Sequence, residues 1–381
     1  MYILVCSPSY PTSKTIDFVF VDQLCRALAR KGVSVTVIAP QTLTKCLLRR
    51  IPVAKNCEKI YVEDNNFFTV FRPKYFSVGN VGGFLKHHNE NAFNRAVKRA
   101  FNRSRCEFNA CYGHFWQSVK ALYPLAKAHN IPLFASSGEE TVNQARIEYT
   151  DDEIKNIGNY VNGVVSVSSN NKNECVATGL GCEEKYRVIP NAINNELFFP
   201  RDKKAARIKL GLNEDDFVVA FVGQFDARKG TLRVDEALKK LNDSKIKAIF
   251  VGQGPENPTY EGIVLKGRIP HDDLPELLSA SDVFVLPTRQ EGCCNATIEA
   301  LACGLPIISS NLPFNYDVLN ENNSLLIDQE SIDAIVNSIR FLKENADIRK
   351  EMSHQALETA RHLTLDERAD KILAFINESL K

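Results

Sequence analysis

One segment, Ala280–Asn311, constrains this chain more than any other: ASDVFVLPTRQEGCCNATIEALACGLPIISSN. Asp282-Val283-Phe284-Val285-Leu286 is a short apolar run closed by Pro287, the pattern of a fully buried strand in a parallel sheet. A polar turn follows, Thr288 to Gly292, and Asn295 is placed to cap a short apolar helix through Ala302. Gly304 and Pro306 stop that helix, and Leu305 to Ser310 reads as the next strand. Strand, loop, helix, strand is the unit of an open α/β sheet, and ligands bind such sheets beyond the carboxyl ends of the strands.

Two carboxylates frame this segment. Glu291 stands on the loop and Glu299 within the helix, and eight helical residues span about 12 Å. Groups so far apart suit opposite ends of one elongated ligand and not a shared proton. Between them run the backbone amides of Gly292, Cys293, Cys294 and Asn295, where a helix start favours an anion. A sugar nucleotide presents a sugar, a diphosphate and a ribose in that order.

The Glu291/Glu299 pair, with Ala300-Leu301-Ala302-Cys303-Gly304-Leu305-Pro306-Ile307-Ile308 behind it, resembles the signature of the retaining glycosyltransferases of family 4, the group 1 glycosyltransferases. The resemblance implies a GT-B fold: α/β, with two Rossmann-like parallel-sheet domains facing across a cleft. It implies that Glu291 contacts the donor sugar and Glu299 the ribose hydroxyls.

The 381 residues are enough for two domains, and a hydrophobic fraction of 44% is ordinary for a globular protein. A formal net charge of +1 leaves no global field for nucleic acid, which is not expected as a partner. Eleven cysteines, with no CxxC and no zinc spacing, read as small buried hydrophobes in a reducing cytosol. The first apolar run is too short for a signal peptide, and no run approaches membrane-spanning length. A cytoplasmic protein is expected, with peripheral contact to the inner membrane through basic-aromatic stretches.

In chain order, strand 2–6, a loop to Asp17, a helix over 18–31 and strand Val33–Ile38 open a β-α-β unit. The loop Pro11-Thr12-Ser13-Lys14-Thr15-Ile16-Asp17 carries no glycine, so its backbone is not expected to approach donor phosphates as in relatives. Residues 40–80 hold Lys45, Arg49, Arg50, Arg72 and several aromatics, and Tyr61 to Ser77 resembles the acceptor side of the family. An irregular domain segment and a platform for a polyprenyl-linked acceptor both fit. Arg72 and Tyr75 are the candidate acceptor contacts, arginine suiting a pyrophosphate. Strand 108–112 ends at Gly113-His114, and His114 is a candidate for lining the cleft or for packing beside Trp116. Ser137, before Gly138, stands where the family often has a histidine near the donor sugar.

The linker is expected near 191–203, giving a first domain over 1–195 and a second over 196–364. The helix of about 365–381 is expected to pack back on the first domain, as the family implies. Gln224-Phe225-Asp226-Ala227-Arg228-Lys229-Gly230 resembles the Gly-Arg…Lys-Gly loop that clamps the donor diphosphate. Lys229 matches the lysine and Gln224 replaces the arginine. Arg228 restores the second charge only if it turns inward. The tip at Arg268 and Ile269 corresponds to the loop that cups the nucleobase.

The reaction so implied is metal-independent, retaining transfer from a nucleotide-diphosphate sugar, expected to be UDP-linked. Its acceptor is a glycan or lipid-linked molecule in surface or exopolysaccharide synthesis. The proposed catalytic residues are Glu291, Lys229 and His114. No cofactor is expected beyond the substrate nucleotide-sugar, and no DxD pair falls at a strand end. A non-catalytic sugar-nucleotide binder and a GT-B nucleotide-sugar epimerase remain as alternatives.

Overall fold

The computed structural model describes residues 1–12, 15, 17–63, 66–78, 84–104, 107–139, 142 and 149–381. Ser13, Lys14, Ile16, residues 64, 65, 79 and 80, and Cys106 among the cysteines, all part of the sequence reading, lie outside them. The chain divides into two compact units: Met1–Val167, Asn171–Ile189 and Arg368–Lys381 form unit 1, Ser168–Asn170 and Pro190–Glu367 unit 2. The boundary falls at Pro190 and not at 195 because Ile193 belongs to unit 2. Its N–H donates to Leu363 O at 2.9 Å, and it bridges to Thr364.

The strands of unit 1 are β1 (Tyr2–Cys6), β2 (Ser34–Ile38), β3 (Gln41–Thr42), β4 (Cys57–Tyr61), β5 (Phe67–Phe71), β6 (Lys74–Tyr75), β7 (Ala110–His114), β8 (Leu133–Ser137), β9 (Gly163–Ser166) and β10 (Tyr186–Val188). Eight of them form one sheet in the order β10-β9-β8-β7-β1-β2-β5-β4. All neighbours run parallel except the edge strand β4, antiparallel to β5. Strands β3 and β6 pair separately. Residues 40–80, taken from sequence as an irregular stretch or an acceptor platform, thus contain four strands. The edge strand Cys57–Tyr61 is almost wholly exposed and shows no apolar alternation by which to find it. The strand expected at 108–112 begins two residues later. The terminal helix Leu365–Ser379 carries Phe375 against Phe134, ring centroids 6.3 Å apart. Gly163 makes room, since a Cβ there would stand 2.7 Å from the Phe375 ring.

Unit 2 is a six-stranded, all-parallel sheet of β11 (Phe217–Val222), β12 (Ile246–Val251), β13 (Ile263–Gly267), β14 (Val283–Leu286), β15 (Ile307–Ser310) and β16 (Ser324–Ile327). Strands β11, β12, β14 and β15 are almost completely buried, as parallel strands covered on both faces must be. The order β13-β12-β11-β14-β15-β16, counted from β11, reads 3-2-1-4-5-6. That is the doubly wound order, and its topological switch point lies between β11 and β14.

Candidate active site

The loops at that switch point carry the residues singled out from sequence. Lys229 and Arg228 follow β11, Glu291 follows β14. One backbone bond and one side-chain bond hold the loops together: Arg289 N donates to Arg228 O at 2.9 Å, and the guanidinium Nη2 of Arg233 donates to Pro287 O at 2.7 Å. Gly230 makes the approach feasible. Its φ of +83° suits glycine, and a Cβ would lie 2.9 Å from Pro287 O.

The side chains converge on one oxygen. Lys229 Nζ donates to Glu291 Oε1, Arg228 Nη1 donates to the same atom at 3.0 Å, and Thr288 Oγ1 does so at 3.0 Å. Arg228 therefore does turn inward, and Gln224 no longer leaves the loop with a single positive charge. Glu291 is only 8% exposed. Burial opposes the Lys229 charge, but neighbouring Cys294 and Glu291 outweigh it and hold the ammonium above its usual range. Asp226 Oδ1 accepts from Lys229 N at 2.8 Å and fixes the loop turn.

The helix expected after Glu291 spans Asn295–Ala302, but its cap residue is Cys294 and not Asn295. Asn295 instead accepts from Asn191 Nδ2 at 2.8 Å, and the same amide donates to Cys293 O at 3.0 Å. Gly292 is buried, with Cys293 and Cys294 half-buried. Glu299 meets a residue that sequence reasoning missed: its Oε1 lies 2.9 Å from His271 Nε2. The bond to Glu299 raises the pKa of His271, more than burial lowers it. A lone histidine after Pro270 gave no signal beyond its place behind the tip of β13. Arg268 is exposed and Ile269 half-buried just past that tip, Ile269 packing on the unit's core.

The unit 1 candidates are less alike. His114 ends β7 and is 3% exposed, ringed by Tyr112, Phe20 and Phe115 at 5.4, 5.9 and 6.4 Å between centroids. Its Nε2 has no hydrogen-bond partner among the described residues. Burial and the Arg368 charge lower its pKa to about 3, so the imidazole is neutral. These surroundings are those of a packed ring, with Tyr112, Phe20 and Phe115 in the place expected for Trp116. Ser137 is fully buried. Its hydroxyl accepts from Trp116 Nε1 at 3.2 Å and donates to Glu139 Oε2 at 2.9 Å, so it points inward and not toward a sugar. Gly138 is half-buried, and its N–H donates to Glu139 Oε2 at 2.9 Å.

A cavity of ≈ 290 Å³ opens beside β3 and β6, lined among others by Tyr10, Gln41, Lys45, Arg72 and Tyr75. Arg72 is 4% exposed. It donates to Glu58 at 2.6 Å and to Pro11 O at 3.2 Å, while its Nε lacks a partner among the described residues. Lys45 pairs with Asp17 at 2.7 Å. Phe18, which also lines this cavity, takes φ +60° and stands edge-on to Phe115, itself at φ +64°, 5.6 Å away. The glycine-free loop thus ends in a left-handed residue all the same, with aromatic packing holding the strain.

Residues 202–359 match the model for the group 1 glycosyl transferases. That match lies wholly within unit 2. Over 372 residues the chain is 27% identical to TuaC of Bacillus subtilis, named for teichuronic acid biosynthesis, covering 95% of this chain and 94% of that one. A D-inositol 3-phosphate glycosyltransferase of Stackebrandtia nassauensis is 25% identical over 95% of this chain and 86% of its own. Among solved structures, sucrose-phosphate synthase from Thermosynechococcus elongatus superposes with a TM-score of 0.76 at 19% identity, covering 99% of this chain and 98% of that one. Anabaena HepE, in complex with UDP, gives 0.75 at 15% identity, with 99% of each chain covered. The fold is GT-B. Among the described residues no helix is long and apolar enough to cross a membrane.

Proposed function

We propose that this glycosyltransferase moves a sugar from a UDP-linked donor to a polyprenyl-linked or glycan acceptor, with retention at the anomeric carbon and without a metal. The donor is held by unit 2 and the acceptor by the cavity of unit 1. The C1–O bond to the diphosphate breaks, and the C1–O bond to the acceptor forms on the same face. The acceptor proton passes to the departing diphosphate. Lys229 and Arg228 stabilise the charge that the diphosphate gains as it leaves. Glu291 orients sugar hydroxyls, Glu299 binds the ribose, and the tip at Arg268 and Ile269 receives the base. In the acceptor cavity, Arg72 and Tyr75 contact a pyrophosphate and its sugar.

The observation that carries this reading is the convergence of Lys229 and Arg228 on Glu291 at the switch point. A uridine diphosphate donor is favoured because HepE was solved with UDP and with UDP-glucose. An Escherichia coli relative, 34% identical over 171 residues, is named as using UDP-Gal on a diphosphoundecaprenol-linked acceptor. Thermal shift and calorimetry across UDP-, GDP- and ADP-sugars, followed by turnover with a polyprenyl-diphosphate sugar, test the proposal. Transfer unaffected by EDTA, from a UDP-sugar, with the α- or β-configuration of the donor kept in the product, is the expected result. Binding without turnover of any donor returns the protein to the class of sugar-nucleotide binders, which Gln224 in place of the usual arginine favours.

A further inference from the structure

The three most exposed large hydrophobic side chains among the described residues are Leu47, Leu48 and Phe76, at 81, 76 and 70%. They belong to one rim. The short helix Leu43–Leu48 ends in the two leucines, and Arg49 and Arg50 follow. Ile51 N returns to Cys46 O at 2.9 Å, folding the following segment back on the helix. Thr42 Oγ1 meets Ser77 Oγ at 2.8 Å, and Ser77 N donates to Thr44 Oγ1 at 3.2 Å, which seats Phe76 beside the helix start.

The segments that form this rim carry charge of one sign, and the acids beside them, Asp17 and Glu58, are each paired, with Lys45 and Arg72. Residues 41–57 and 72–78 contain no aspartate or glutamate. Arg49, Arg50 and Lys55 are exposed among the apolar tips. Protruding leucines set in basic side chains do not form a groove for a peptide. They are the arrangement by which a peripheral protein enters an anionic lipid surface, apolar tips in the headgroup boundary and cations at the phosphates.

We propose that the rim of Leu47, Leu48 and Phe76, with Arg49, Arg50 and Lys55, docks the protein on an anionic phospholipid bilayer. The helix also supplies Lys45 and Cys46 to the cavity beside it, so docking brings that cavity to the membrane surface. The surface itself follows from the exposure and charge alone. Its use for presenting a polyprenyl-linked acceptor rests on the function proposed above.

Co-sedimentation with vesicles made of equal parts phosphatidylcholine and phosphatidylglycerol tests docking without any measurement of transfer. The parent chain is expected to sediment with these vesicles and to be released by high salt, with little binding to phosphatidylcholine alone. Leu47→Ser with Leu48→Ser, and separately Arg49→Glu with Arg50→Glu, are expected to weaken binding at least about tenfold. Thermal melting and UDP affinity should stay at the parent's values, which shows that unit 2 is intact. The proposal is overturned if the parent stays in solution, or if both double variants sediment as the parent does. It is equally overturned if the leucine variant loses a dimer in ultracentrifugation with no change in vesicle binding, since the rim is then a protein contact. Failure of transfer with vesicle binding preserved would count against the enzymatic reading and leave docking standing.

Discussion

Arg228 and Glu291 are 63 positions apart in the chain and 3.0 Å apart in space, Nη1 to Oε1. Lys229 reaches the same carboxylate oxygen from the neighbouring position. On the proposed function a donor diphosphate competes with Glu291 for both cations, so the two should be separable by what each does to rate and affinity. Lys229→Ala is expected to lower kcat by about a hundredfold or more, the usual loss when one charge-stabilising donor is removed. Arg228→Ala should lower it less, because the arginine is more exposed than the lysine. Initial rates with a saturating UDP-sugar decide it, and parental rates in both variants would remove these residues from the site.

Glu299 and His271 give a pH dependence of known sign. The pair raises the pKa of His271 above its ordinary 6.5. The stability it contributes is therefore complete below pH 6.5 and is lost as pH rises through the folded value. The melting temperature of the parent should exceed that of His271→Gln most at about pH 6, and the gap should narrow toward pH 8. UDP affinity should move the other way, tightening as His271 loses its proton and releases Glu299. Glu299→Ala should weaken UDP binding at every pH. Calorimetric titration at the two ends of the range, in parent and His271→Gln, is the measurement.

Much of this was legible in the residues, and the exceptions have physical causes. Long apolar runs such as Phe217–Val222 and Val283–Leu286 announce buried parallel strands, and Gly304 marks the helix end that the structure shows. The edge strand Cys57–Tyr61 carries no such signal, because its partner on one side is solvent. Positions 228 and 271 were beyond reach for a different reason. Which way Arg228 points depends on the loop after β14, and the partner of His271 lies 28 residues further on. Ser137 and His114 were placed correctly at strand tips, yet the sequence cannot tell a side chain that faces inward from one that faces a ligand.

Gly252 closes the tip of β12 against the tip of β11. Its φ is +150°, and a Cβ built on it would stand 1.8 Å from Gly223 O, a backbone atom that cannot step aside cheaply. Gly252→Ala must therefore push the two tips apart and with them the loop that begins at Gln224. A loss of roughly 3 kcal/mol or more in chemical denaturation is expected, at the upper end of what single substitutions do. Gly32→Ala is the contrast, since its φ is also positive but nothing lies within 4 Å of the added carbon. It should lose only about 1 kcal/mol, the backbone part alone.

His114 should make the protein acid-sensitive, opposite in sign to His271. Its folded pKa of about 3 lies below the 6.5 of an ordinary imidazole, so the unfolded chain takes up the proton first as pH falls. The stability tied to the neutral ring is intact above pH 6.5 and drains away below it, by about 2 kcal/mol at pH 5. His114→Leu keeps the volume near that of the imidazole, removes the unpartnered Nε2 and cannot titrate. Urea denaturation at pH 7 and at pH 5 should show the parent losing stability between the two, with a smaller loss in the leucine variant. An equal loss in both chains would mean that His114 already has a partner for its proton, and the packing account of this histidine would fail. Should the variant fold poorly, His114→Gln restores a polar side chain without the titration and reports on the same difference.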